Sequence, residues 1–146
     1  MKIELMKEND IQACSVILQK AYEQAPYNEV FELGVAEGHI KSKYGSENKN
    51  SFVALDDENE ILGFIIVSED VWVGGKQAVI EEFAVDSIVQ HQGVGRSLME
   101  HTRNHLKENG FVSMVLWATK DKRLVDFYTQ QGFSVSENSV VMFGKL

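Results

Sequence analysis

A strand that runs into a glycine turn, which in turn opens a helix, constrains this chain more than anything else in it. Ile80-Glu81-Glu82-Phe83-Ala84-Val85-Asp86 is followed by Gln90-His91-Gln92-Gly93-Val94-Gly95-Arg96-Ser97-Leu98-Met99. Past the turn, Val94, Leu98, Met99 and Leu106 recur at helical spacing, with Thr102 between them. The first amides of such a helix have no internal partners, and its macrodipole adds positive potential there. Gly93 and Gly95 remove side chains where the backbone must come close to something. The segment therefore reads as a site for a phosphate or pyrophosphate.

The glycine spacing excludes two common anion sites. A dinucleotide fold needs G-x-G-x-x-G, and here the third glycine position holds Leu98. A phosphate loop needs G-x-x-x-x-G-K-[ST], which is absent. The pattern present is [QR]-x-x-G-x-[GA], carried by Gln90, Gly93 and Gly95, after a strand ending in an apolar triad. A second motif, Phe127-Tyr128-Thr129-Gln130-Gln131-Gly132-Phe133, closes a helical stretch containing Leu124 and Val125. It leads into an expected strand from Phe133 to Phe143. Gly132 stands where a helix should end, because the residue after the cap commonly needs a positive φ.

With both motifs in this order and spacing, the chain resembles the GNAT N-acetyltransferase family over nearly its whole length. Glu60-Ile61-Leu62-Gly63-Phe64-Ile65-Ile66-Val67 looks like that family's third strand. The resemblance implies acetyl transfer from acetyl-CoA, as co-substrate, to a primary amine of a small molecule or peptide. It implies that backbone groups of Phe83, Ala84 and Val85 pair with pantetheine. The turn from Gln90 through His91, Gln92, Gly93, Val94, Gly95, Arg96 and Ser97 would hold the pyrophosphate. Arg96 could add a charge-assisted contact. The family often has an asparagine seven residues before its tyrosine; this chain has Asp121, an anion that cannot donate there and that can instead cap a helix.

The chemistry of that reaction names further candidates. An alkyl amine with a pKa near 10 is only about one part in a thousand neutral at pH 7, so a base must take its proton. The leaving thiolate benefits from an acid, and the thioester oxygen from hydrogen-bond donors. Tyr128 matches the family's tyrosine and is the candidate acid. Glu81 and Glu82 are the candidate bases. Strand parity sends the two to opposite faces, and the resemblance favours Glu82, just before the apolar triad. A bulge in this strand would reverse the parity.

The rest of the chain reads as a mixed α/β (α+β) GNAT fold in one domain, 1–146. The element order is β-α-α-β-β-β-α-β-α-β, giving a mostly antiparallel sheet of six to seven strands with helices on both faces. Residues 2–6 alternate as a strand, and Asn9 or Asp10 can cap a helix through Ile11, Ile17, Leu18, Ala21 and Tyr22. Pro26 ends it. A weak second helix, roughly 29–43, contains Gly34 and Gly38 and is a candidate flap over the acceptor site. Phe111–Trp117 is nearly all apolar, as expected of a strand covered on both faces. Its approach from the preceding helix requires a parallel crossover. Acceptor loops are expected at about 22–50 and 69–77.

Composition bounds the partners. The net charge of −8, from 14 basic and 22 acidic residues, weighs against nucleic acid and suits a cationic acceptor. No apolar run reaches membrane-span length, and the N-terminus has no signal-peptide core. The single Cys14, at helical spacing from Ile11, Ile17 and Leu18, reads as a packed thiol in a reducing, cytoplasmic setting. His101 and His105 lie one helical turn apart but lack a third ligand, so no metal is expected. Alternatives to the leading function are an aminoglycoside-like or polyamine acetyltransferase, and a non-catalytic module that senses acetyl-CoA. A homodimer stays open.

Overall fold

The computed structural model describes residues 1–45 and 48–146. Residues 46 and 47, inside the first expected acceptor loop, lie outside the described residues. The elements run β1 (Lys2–Leu5), α1 (Ile11–Glu23), α2 (Leu33–Lys43), β2 (Phe52–Leu55), β3 (Ile61–Trp72), β4 (Gly75–Val85), α3 (Val94–Glu108), β5 (Phe111–Leu116) and α4 (Lys122–Gln130). Among the described residues the sheet has five strands in the order β1-β2-β3-β4-β5. The first four pair antiparallel, and β4 and β5 are parallel, joined through α3 as the crossover required.

Strand alternation divides the core into two layers. On one face Val53, Leu55, Phe64, Ile66 and Ala84 meet Ile11, Cys14, Ile17 and Leu18 of α1 and Ala36 and Ile40 of α2. On the other, Phe52, Ala54, Ile65, Val67, Ala78 and Ile80 meet Val94, Leu98, Met99 and Leu106 of α3. Tyr128 of α4 packs onto this second layer. Cys14 is fully buried, and burial pushes its thiol well above the usual range. His101 and His105 lie edge-on to Phe52, at 4.7 and 5.0 Å, and His105 Nε2 meets Asn50 Oδ1 at 3.1 Å.

β4 changes faces partway along. Ile66 of β3 pairs with Glu82 and Val67 with Ile80, so Glu81 is the extra residue of a β-bulge. Ala78 and Ile80 face α3, while Glu82 and Ala84 face α1 and α2. This overturns the parity expectation for the two glutamates. Glu81 reaches Lys43 and Glu82 reaches His39, both on α2.

Four other expectations are corrected. The segment Phe133–Phe143 forms no strand, so the sheet stops at five. Val135, Val140, Val141, Met142 and Phe143 are 74–93% exposed. Strand propensity yields a strand only where an edge is paired, and the segment pairs with no strand of the sheet. With no strand beyond it, β5 is an edge, and Val112 and Trp117 stand exposed rather than covered on both faces. The weak second helix begins at Leu33, not near 29. Asp10 does precede α1, but its carboxylate accepts from Lys7 N–H in the preceding turn instead of capping the helix.

Candidate active site

Pairing between β4 and β5 ends at Ile80 and Leu116. Beyond that point β4 continues alone on this side through Glu81, Glu82, Phe83, Ala84 and Val85. Its backbone groups on the β5 side therefore face an opening rather than a neighbour. Such an exposed edge can accept an extended ligand as an added half-strand.

The far end of the opening is the N-terminus of α3. Gly93 takes the left-handed φ of +88°, and His91 also has a positive φ of +65°. No side chain caps the helix. The first intrahelical amide bond is Ser97 N–H to Gly93 O, so the amides of Val94, Gly95 and Arg96 precede it. The two glycines have different reasons. A Cβ on Gly93 would meet nothing within 4 Å, so its requirement is conformational. A Cβ on Gly95 would lie 3.2 Å from Phe83 Cζ, so its requirement is the packing of helix against strand. Gln90 donates from Nε2 to Val85 O at 3.2 Å, fixing the corner between strand and turn. The side chains of His91, Gln92 and Arg96 are exposed, Ser97 is half-buried and Val94 is buried. A donor set of backbone amides at a helix N-terminus, beside an unpaired strand edge, fits the pyrophosphate and amides of acetyl-CoA.

Glu82 lies on the α1/α2 side of this strand, 9% exposed. Its Oε2 is 2.9 Å from His39 Nε2 of α2. Its Oε1 accepts from the Phe83 amide at 3.2 Å and, at the long distance of 3.5 Å, from the Tyr22 hydroxyl of α1. Aromatic rings wall this carboxylate. Tyr22 stacks on Tyr27 at 4.4 Å and meets the edge of Phe31 at 5.3 Å; Phe31 lies 6.5 Å from His39. Glu81 is less buried and already engaged: Ser68 Oγ donates to Oε1 at 2.6 Å and Lys43 Nζ lies 3.2 Å from Oε2.

Tyr128 approaches from α4. Its ring lies 6.3 Å from Phe83, 5.2 Å from Phe127 and 5.9 Å from Phe133. The helix end sets its position. Gly132 N–H donates to Thr129 O and Phe133 N–H to Tyr128 O, with Gly132 at φ +89°. These are the two bonds of a Schellman motif, and the Tyr128–Phe133 contact is its apolar clasp. Asp121 caps the other end of α4, accepting from the amides of Arg123 and Leu124. Burial, then the nearby Tyr27 and Glu82, push the Tyr128 phenol far above its ordinary value. Tyr22 is raised likewise by burial and then by Glu82. Tyr27 shifts the same way for the same leading causes. One anion thus influences three phenols, and all stay protonated at neutral pH.

The structure therefore brings Glu82 and Tyr128 to one opening, with Phe83–Val85 along it and the Gln90–Ser97 turn at its end. It does not bring in 69–77. That segment forms the β3–β4 hairpin tip, and five residues of strand put Gln77 about 17 Å from Glu82. His39, Tyr22, Tyr27 and Phe31 were missed in the sequence. No motif marks them; the only signal is that all lie in the acceptor loop expected at about 22–50.

Among the described residues no three His, Cys, Asp or Glu side chains converge as metal ligands. Two cavities lie elsewhere, one of about 270 Å³ between β1 and α1 and one of about 360 Å³ between α3 and β5.

Comparison with known proteins bears on the family and the fold. The model of the acetyltransferase (GNAT) family matches residues 12–133. Streptothricin acetyltransferase of Streptomyces lavendulae is 25% identical over 129 residues, 87% of this chain and 67% of that protein. The protein YxbD of Bacillus subtilis is 26% identical over 93 residues, 62% of this chain and 54% of that protein. The chain thus spans between half and two thirds of the length of these curated relatives. An aminoglycoside acetyltransferase from an uncultured soil metagenomic sample, solved with sisomicin, superposes with a TM-score of 0.73 at 24% identity. That match covers 99% of this chain and 95% of the other. The Escherichia coli ribosomal-protein-S18-alanine N-acetyltransferase has a TM-score of 0.73 at 23% identity, covering 92% and 78%. Both likenesses show the fold.

Proposed function

The chain belongs to the acetyltransferase (GNAT) family, and from that premise we propose that it moves an acetyl group from acetyl-CoA to a primary amine of a small molecule or peptide. The observation that carries this reading is the placement of a buried carboxylate, Glu82, and a half-buried phenol, Tyr128, beside the stretch of β4 that β5 leaves unpaired.

Acetyl-CoA supplies an activated acyl group with a thiolate as leaving group. The backbone of Phe83, Ala84 and Val85 would hold its pantetheine. The amides from His91 to Ser97 would hold its pyrophosphate, with the exposed Arg96 as an added charge. Glu82 binds the acceptor as an ammonium and takes its proton. Tyr22, Tyr27 and Phe31 present aromatic surface next to that charge, which favours an ammonium carried on an apolar body. Tyr128, kept protonated, gives its proton to the thiolate. Glu81, held by Ser68 and Lys43, keeps α2 against the bulge.

Thiol release from acetyl-CoA with a panel of monoamines, polyamines and aminoglycosides tests the reading. Amine-dependent release in the parent chain, lost in Glu82→Gln, supports it. Acetyl-CoA binding without release by any amine would favour a sensor module. A location in the cytoplasm is part of the same proposal, since acetyl-CoA and a reduced thiol belong there. Exposed Val140, Val141, Met142 and Phe143, together with the position of β5 at the edge of the sheet among the described residues, support a homodimer.

A further inference from the structure

Taking Glu82 as the base leaves a proton to dispose of. Each turnover delivers one proton to a carboxylate that is 9% exposed. Two tyrosines stand near it, Tyr22 at 3.5 Å and Tyr27 stacked behind, but a neutral phenol relays a proton only by giving up its own, and a phenol pushed above its ordinary value releases it poorly. Phe83 N–H occupies Oε1 and can only donate. Oε2 alone touches a group that can take a proton at one atom and release one from another. That group is His39, with Nε2 at 2.9 Å and a side chain one third exposed.

We propose that His39 is the proton outlet of the acceptor site, carrying the acceptor's proton from Glu82 to water; this rests on the acetyl-transfer reading above. The balance is simple. The acceptor nitrogen loses a proton to Glu82, which becomes a neutral acid. Oε2 passes a proton to Nε2 of a neutral imidazole, restoring the carboxylate and forming imidazolium. The imidazolium loses a proton from Nδ1 to water, and exchange with water restores the starting tautomer. No oxidant, reductant or further reactant is needed.

The setting suits the role. His39 and Lys43 are one turn apart on α2, and each grips one glutamate of the bulge. The bulge is what brings both carboxylates to α2, so the imidazole is held on Glu82 from a helix that otherwise packs loosely against β4. The ionisable groups facing the pair are Tyr22 from α1, Tyr27 from the segment between α1 and α2, Tyr128 from α4, and the Lys43–Glu81 pair next to it.

His39→Ala and His39→Gln test the proposal against the parent, with turnover read as a function of pH and of imidazole concentration. If His39 is the outlet, turnover falls by about 10-fold or more in both variants. The KM for acetyl-CoA stays near the parent value. Added imidazole restores part of the loss in His39→Ala and leaves the parent unchanged. The ¹⁵N resonance of His39 Nε2, which reports its hydrogen bond, also moves in Glu82→Gln without any turnover. Variants with parental turnover overturn the proposal, and so does a loss that imidazole cannot relieve and that is uniform across pH. A parent chain that releases no thiol with any amine overturns the proposed function itself, and this proposal with it.

Discussion

Ile80 and Leu116 are the last partners across β4 and β5, and two residues past Ile80 stands the buried carboxylate of Glu82. The parting of the strands and the bulge at Glu81 are adjacent features of one strand. One opens a backbone edge for the acyl donor. The other turns the next side chains toward α1 and α2, where an acceptor would enter. The donor and acceptor sides of the site thus meet at a single dipeptide, Glu82-Phe83.

The donor side can be tested by charge. Acetyl-CoA at a hundredfold excess over its dissociation constant should stabilise the chain by about 2.7 kcal/mol, read as a rise in melting temperature. Gly95→Asp should abolish that rise by placing an anion at the pyrophosphate. Gly95→Ala is the control, because its Cβ also meets Phe83 Cζ at 3.2 Å. The alanine variant should melt lower than the parent yet keep the rise. Loss of the rise in both variants would trace the effect to packing and not to charge.

The acceptor side can be tested by pH. Glu82→Gln keeps shape and removes the base, so turnover should fall by about 10²-fold or more at neutral pH. The defect should shrink as pH rises, because the free amine then needs no base. Glu81→Gln should alter turnover far less, since that carboxylate is held by Ser68 and Lys43. Equal defects in the two variants would count against assigning the base to Glu82.

How much of this was legible in the sequence follows the range of the forces involved. The glycine turn, the helix after it and the end of α4 are local, and Gly132 carries the positive φ its position required; Gly93, read as a point of close approach, is required instead for its φ of +88°. The cap at Asp121 was equally local. The bulge was not. Strand parity is a rule about one strand, whereas the extra residue at Glu81 exists only in register with Ile66 and Val67. His39 was invisible for the same reason: its meaning comes from Glu82, 43 residues away. The missing sixth strand repeats the lesson, because Phe133–Phe143 has strand composition but no paired edge.

Alkaline stability should report the buried thiol and the half-buried phenols. All four tyrosines and the one cysteine are raised by burial as the leading cause. A raised folded pKa means the folded chain holds a proton that the unfolded chain gives up. Their contribution is therefore intact below the ordinary values of 9.0 for the thiol and 10.0 for the phenols, and is lost as pH rises beyond them. Stability should be flat with respect to these groups up to about pH 9 and then fall, by at most about 1.4 kcal/mol per pH unit for each group. Cys14→Ala should delay the onset. Denaturant midpoints measured from pH 7 to 11 check this; a flat profile to pH 11 would show that these groups ionise freely in the folded chain.

The tail gives a prediction about assembly. If Val140–Phe143 pairs with a second copy, light scattering should give twice the chain mass. Val141→Lys with Phe143→Lys should return it to one chain. Acetyl-CoA binding should survive, since the tail is remote from the Gln90–Ser97 turn in sequence and makes no hydrogen bond to it among the described residues. A parent of single-chain mass at high concentration would remove the dimer.

Tyr128→Phe separates chemistry from packing at the remaining candidate. The phenol is clasped by Phe133 through the helix-end motif and flanked by Phe83 and Phe127, so its ring is a structural part of the second core layer. Its hydroxyl is the only element the substitution removes. If that hydroxyl protonates the leaving thiolate, turnover should fall by about 10- to 10³-fold with little change in acetyl-CoA affinity. The defect should narrow with an acyl donor whose thiol leaves more readily as an anion, because such a group needs less help. The melting temperature should hold, since the rings that grip Tyr128 grip phenylalanine equally well. If the hydroxyl instead has a structural partner, the variant should lose about 1 kcal/mol of stability and keep its rate. Turnover and melting measured on one preparation distinguish the two: an active, stable variant would leave the thiolate without this acid while the backbone site for acetyl-CoA stood unchanged.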